Sequence, residues 1–105
     1  MSSGYLTVMK IDGDPDELAA RYGESSKAMA QVGRDHDLIL HAAARTEDGL
    51  MVVNLWPSKE ESEAASRDHR RIAEVTRHDL GKRRVSRDHY EVENWQVGPA
   101  AQRPM

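Results

Sequence analysis

A chain of 105 residues, with 15 Lys and Arg against 18 Asp and Glu and a net charge of −3, holds one domain that buries roughly 60 to 70 per cent of its unfolded surface. The charge gives no reason to expect nucleic acid or an anionic membrane as partner, and the absence of Cys removes disulfides, thiol catalysis and thiolate metal sites. The opening MSSGYLTVMKIDGD has no basic segment before an apolar run, and no stretch nears the ~18 apolar residues of a membrane span, so a cytoplasmic protein is expected.

Residues 5–10, YLTVMK, are rich in β-formers and end at DGDPDEL. There Asp14 can cap a helix, Pro15 suits the first helical position and Glu17 stands three residues after the cap, so a helix starts near Pro15. Its apolar stripe, Leu18, Tyr22, Met29 and Val32 with Ser25 and Ser26 between, keeps a 3.6 period until Gly33, which is expected to end it. LILHAAAR and LMVVNLW follow as two strands around Asp48-Gly49, a hairpin signal. After Trp56-Pro57, Ser58 is a second cap with Glu61 three residues on, and that helix is expected to run to about Leu80, where Gly81 stops it. Beyond the basic loop KRRVSRD, HYEVENW alternates as a last strand. Residues 98–105, VGPAAQRPM after its first residue, follow the last periodic segment and read as a disordered tail behind a domain of residues 1–97.

Strand, helix, strand, strand, helix, strand is the order of the α+β, ferredoxin-like arrangement: a four-stranded antiparallel sheet with two helices on one face. Such a sheet leaves its second face bare, which argues for a homodimer. KIDGDPDEL, LHAAARTEDGLMVVNLWPSKE and HYEVENW together resemble the dimeric α/β barrel proteins, among them antibiotic-biosynthesis monooxygenases and stress-responsive small barrels, over most of residues 5–95. The resemblance implies a homodimer with a pocket in each subunit between sheet and helices. It leaves the chemistry open, because relatives include cofactor-free oxygenases, polyketide cyclases, haem-degrading enzymes and proteins without known activity.

RDH occurs three times, ending in His36, His69 and His89. Adjacent Asp and His side chains do not meet by being neighbours in sequence, so the face of each His decides. A hairpin turning at Asp48-Gly49 puts Ile39, His41, Ala43, Val52, Asn54 and Trp56 on one face and Leu38, Leu40, Ala42, Ala44, Met51, Val53 and Leu55 on the other. His41 and Asn54 can satisfy each other, as a core pair or as part of a site. In the second helix Ala65, His69, Ile72, Ala73 and Thr76 form an inward stripe, whereas His78 faces water and Asp68 points away from the imidazole. His36, in a loop, and His89, at a strand start, are expected to be solvated, and the repeat is read as chance. The chain has no Phe, and small residues at Ala42 to Ala44, Ala64, Ala65, Ala73, Ser25 and Ser26 imply either a pocket or closer helix docking.

A pocket with His69 and His41 as catalytic residues and Asn54, Tyr22 and Trp56 as substrate-binding residues suits general-base deprotonation of an aromatic or polyketide-like small molecule. The resemblance implies that such a base serves a monooxygenase or cyclase of secondary metabolism working without cofactor. Two alternatives stand beside it. One is a non-catalytic dimeric small-molecule-binding or scaffold protein, with Lys82, Arg83, Arg84 and Arg87 available to an anionic partner, though nucleic acid is excluded because no aromatic residues interleave with those charges. The other is a haem-binding protein with His69 as axial ligand. Against haem, Thr7 stands where haem-degrading relatives carry an Asn, and the second helix has no Trp.

Overall fold

A computed structural model describes residues 3–76 and 84–102, with the side chains of residues 25, 28, 29, 72–76, 101 and 102 left aside. The expectations for Ser25, Met29, Ile72, Ala73 and Thr76 as inward side chains, for His78 and the helix end at Leu80-Gly81, and for Lys82 and Arg83 therefore lie outside the described residues. Among the described residues the order is β1 (Gly4–Asp12), α1 (Pro15–Asp35), β2 (Leu40–Arg45), β3 (Gly49–Trp56), α2 (Lys59–Thr76), β4 (Val85–Val92) and a 3-10 turn over Pro99–Gln102. The strands form one antiparallel sheet in the order β2-β3-β1-β4. Both helices pack on the same face, α1 against β3 and β2 and α2 against β1 and β3. This is the ferredoxin-like α+β arrangement.

Local chemistry sets the element ends. Asp14 Oδ1 accepts hydrogen bonds from the Asp16 and Glu17 amides at 2.9 and 3.1 Å, occupying donors that the first helical turn leaves free. Ser58 Oγ serves α2 in the same way through the Glu61 amide at 3.2 Å. Gly33 does not stop α1, which continues to Asp35. The chain reverses instead at Asp37, the residue in the left-handed region with φ 55°, while the Leu38 amide reaches back to the Gly33 carbonyl at 2.9 Å and the Asp37 amide to Arg34 at 3.4 Å. That is the bonding of a Schellman end with Asp in the usual glycine place. Gly33 has a packing role: a Cβ there would lie 3.0 Å from Leu38 Cδ2.

Gly49, at the start of β3, is required by a close approach, since a Cβ there would fall 1.8 Å from the Ile11 carbonyl oxygen. The hairpin register pairs His41 with Asn54, Ala43 with Val52 and Leu40 with Leu55, the two faces expected from the turn. The last strand differs from expectation. It begins at Val85, four residues before His89, because Val85 to Val92 pair along the whole of β1 from Ile11 to Gly4. His89 thus stands inside the strand, opposite Thr7. Trp95 lies beyond the strand and donates its indole N–H to the Ser3 carbonyl at 3.0 Å. A 3-10 turn spans Pro99–Gln102, with proline in its favoured first position.

The helix-covered face carries two apolar clusters. Ile11, Leu18, Leu50 and Val52 form one, with Met9, Tyr22 and Val85 against it. Val32, Trp56 and Ala65 form the other, with Tyr5 and Leu38. The opposite sheet face presents Leu6, Val8, Leu40, Ala42, Ala44, Met51, Val53, Leu55 and Tyr90, with Lys10, Ser86 and Asp88 at one corner. Two of its large apolar side chains, Leu40 and Tyr90, are 45 and 53 per cent exposed. Ala42 and Ala44 belong to this bare face, so they leave no space under the helices, contrary to their reading as inward residues.

Candidate functional site

Between the two clusters one row of the sheet is polar. Strand pairing aligns His41, Asn54, Thr7 and His89 across all four strands on the helix-covered face. The rows on either side run through Val52 and Met9, and through Trp56 and Tyr5. The row is exposed at both ends, His41 and His89, and half-buried at Asn54 and Thr7, where polar groups interrupt what would otherwise be one continuous core. Such a local departure from core patterning is expected at functional sites.

One end of the row is tightly connected. The His41 Nδ1–H donates to Asn54 Oδ1 at 2.5 Å, and Nε2 accepts from the Tyr22 hydroxyl on α1. The two rings lie 5.8 Å apart between centroids and 15° from parallel. Burial raises the Tyr22 hydroxyl above its usual pKa, which keeps it a donor. His69 descends from α2 and is half-buried. Burial holds its imidazole below the usual histidine value, nearby His41 and His36 push the same way, and Asp68 opposes them. His69 has no ring hydrogen bond among the described residues, whereas both His41 nitrogens are engaged. Thus His41, Tyr22 and Asn54 form one connected group, with His69 close by. Trp56, in the next row of the same sheet face, is 3 per cent exposed and packs with Val32 and Ala65 in the second cluster.

Asp68 does turn away from His69, and its partner is the His of another RDH copy. His36, expected to be solvated, is the C-cap of α1 with its side chain only 16 per cent exposed. Its Nε2 meets Asp68 Oδ2 at 2.7 Å and its Nδ1 meets Glu61 Oε2 at 2.9 Å, while Arg71 reaches Asp68 at 3.1 Å. The cluster ties the end of α1 to α2 above the sheet. Hydrogen bonds from Asp68 and then Glu61 hold His36 above the usual histidine pKa, and the bond to His36 lowers Asp68. Because the folded-state pKa of His36 is raised, its contribution to stability is complete below pH ~6.5 and is lost as pH rises through the raised value. His69 works oppositely, losing stability as pH falls below ~6.5. His36→Gln is therefore expected to lower the melting temperature most near pH 6 and progressively less toward pH 9, with His69 common to both proteins. A deficit independent of pH would show that His36 is held by packing alone.

His89 is exposed, as expected, but on the helix side, where it stacks on Tyr5 with centroids 5.8 Å apart and planes at 23°. Beside this pair a groove of about 350 Å³ opens between α2 and the sheet, lined by Tyr5, Ser62, Glu63, Ser66, Arg67, Arg70 and His89. None of the five sequence-assigned site residues lines it. Its signal in the sequence was the spacing of Ser62, Ser66 and Arg70 on one face of α2, legible only once β4 is registered four residues earlier. No group of His, Asp and Glu with metal-binding geometry occurs among the described residues, and none of their helices is long and apolar enough to cross a membrane.

The arrangement of sheet and helices is the ferredoxin-like one, and solved structures share it. A dimeric ferredoxin-like protein from an uncultured marine organism superposes with a TM-score of 0.67 at 12% identity, over 90% of this chain and 99% of that one. SnoaB, a cofactor-independent oxygenase from Streptomyces nogalater, matches with a TM-score of 0.56 at 13% identity, covering 94% and 99%. A monooxygenase from the gene ActVA-Orf6 of Streptomyces coelicolor, in complex with nanaomycin D, matches with a TM-score of 0.57 at 16% identity, covering 93% and 94%. No protein-family model and no curated protein matches the chain.

Proposed function

We propose that the chain is a small cofactor-independent monooxygenase that deprotonates a phenolic or polyketide-like substrate between the helices and the polar row, with His69 as the base. The observation that carries this reading is the contrast between the two histidines. His41 is fixed by Asn54 and Tyr22, whereas His69 is half-buried, biased toward its neutral form and without a hydrogen bond among the described residues. A neutral imidazole is the state a general base requires.

In the reaction, the His69 imidazole takes a proton from an activated C–H or from a phenol conjugated to it. The Asn54 amide N–H groups, oriented by the bond from His41 to Asn54 Oδ1, stabilise the enolate or phenolate oxygen, while the Tyr22 hydroxyl holds His41 in place. The carbanion gives one electron to dioxygen, the radical pair joins in a C–O bond, and the hydroperoxide loses water. A methylene and dioxygen thus become a carbonyl and water, with no external reductant. Trp56 forms a packed end wall and makes no polar contribution. The SnoaB and ActVA-Orf6 likenesses support oxygenation ahead of cyclisation as the fate of the anion.

The test is oxygen uptake by chelator-treated protein supplied with polycyclic phenols. One dioxygen per carbonyl formed is expected. Turnover without oxygen uptake makes the protein a cyclase, and saturable binding without turnover makes it a binding module. A sharp Soret band on mixing with haemin, lost in His69→Ala, would reassign His69 as a haem ligand.

The same reading includes a homodimer in which a second copy covers the bare sheet face. The dimeric ferredoxin-like likeness and the exposed Leu40 and Tyr90 support it. A dimer mass by light scattering at micromolar concentration is expected, and Val53→Asp, at the centre of that face, is expected to give monomers. A monomeric parent protein would refute it.

A further inference from the structure

The groove between α2 and the sheet is lined by none of His41, Tyr22, Asn54 and His69 and is not used by the proposed reaction. Its floor is the stacked Tyr5 and His89 pair, and its helical wall carries Arg67 and Arg70, three residues apart and hence neighbours on the helix surface. Neither arginine makes an ion pair with a described residue. The groove's one acidic side chain, Glu63, is instead engaged with Lys59 at 3.9 Å. The pleat also places Arg87, two residues before His89, on the same sheet face. Unpaired guanidinium groups over an aromatic floor give two recognition elements at once: planar forks matched to a carboxylate or similar oxyanion, and ring faces for stacking. The volume of about 350 Å³ lies in the range of small-molecule sites, roughly 300–1,000 Å³.

We infer that this groove is a binding site for a planar ring bearing an anionic oxygen group, seated on Tyr5 and His89 with its charge toward Arg67 and Arg70. The site is separate from the His69 chemistry and stands whether or not the chain is an oxygenase. Its test is a titration of the full chain with 2-naphthoate and with the neutral isostere 2-naphthamide, followed by calorimetry and by the ring-proton NMR signals of Tyr5 and His89. Naphthoate is expected to bind about 10-fold more tightly or better, to shift both sets of signals and to weaken with added salt, as charge-assisted contacts at an exposed site do. Arg67→Gln with Arg70→Gln is expected to bring naphthoate down to the naphthamide level without changing the melting temperature, because both side chains are exposed. His69→Ala is expected to leave naphthoate binding intact. Equal binding of the two compounds, an unaffected double arginine variant, or no binding at millimolar concentration would overturn the assignment. So would loss of binding in His69→Ala, which would move the ligand to the His41 end of the polar row, or Tyr5 and His89 signals that follow protein concentration instead of ligand, which would put a second copy in the groove.

Discussion

Replacing His69 by Ala is expected to lower turnover of a phenolic or polyketide-like substrate by about 100-fold or more, the usual scale for losing a general base. His41 cannot substitute directly, since its Nδ1 is given to Asn54 and its Nε2 to Tyr22. The lowered pKa of His69 also sets the direction of the pH profile: the base form persists into acid, so the acidic limb of kcat/KM lies below pH ~6.5. Asp68→Asn is the informative control. Asp68 holds His36 and Arg71, so its loss is expected in the melting temperature, with kcat little changed. Equal losses of kcat in the Asp68 and His69 variants would mean that the two act as a unit, and no loss in either would remove the active-site assignment and favour a binding module.

The second large effect belongs to Trp56. Its ring is 3 per cent exposed and packs with Val32 of α1 and Ala65 of α2, so it joins both helices to the sheet at one point. Trp56→Ala removes that ring and leaves a cavity beneath both helices, a change that typically costs about 3–5 kcal/mol. A domain of this size is stable by only ~5–15 kcal/mol, and the variant is therefore expected to melt many degrees lower or to be largely unfolded at room temperature. A variant as stable as the parent but deficient in ligand binding would show that the ring lines the site.

The strand and helix order was legible because capping and periodicity act locally. Asp14 and Ser58 sit where their side chains can take the first amides of a helix, and the structure uses both. The hairpin register also followed from local turn chemistry, which is why the pairing of His41 with Asn54 could be read in advance. What escaped was decided by distant parts of the chain. Gly33 looks like a stop signal, but the helix runs on to Asp35 and reverses at Asp37, with Leu38 folded back close against Gly33. VSRD has too weak an alternation to announce a strand, yet β1 supplies a partner along its entire length. That shift of four residues hid His89 from the polar row and the groove from view. The pairing of His36 with Asp68 joins two of the three RDH copies across 32 residues, a contact that no local pattern encodes.

The polar row also divides the apolar support of the helices. α1 rests on one cluster through Leu18 and on the other through Val32, and β3 contributes Leu50 and Val52 to the first and Trp56 to the second. A ligand lying along His41, Asn54 and Thr7 would touch both clusters and complete the contact that the row interrupts. Its binding energy would then enter the folding equilibrium directly, raising the melting temperature with ligand concentration by mass action. Ligand occupancy and folding would then be linked, and a library of candidate substrates could be ranked by thermal shift before any turnover is known.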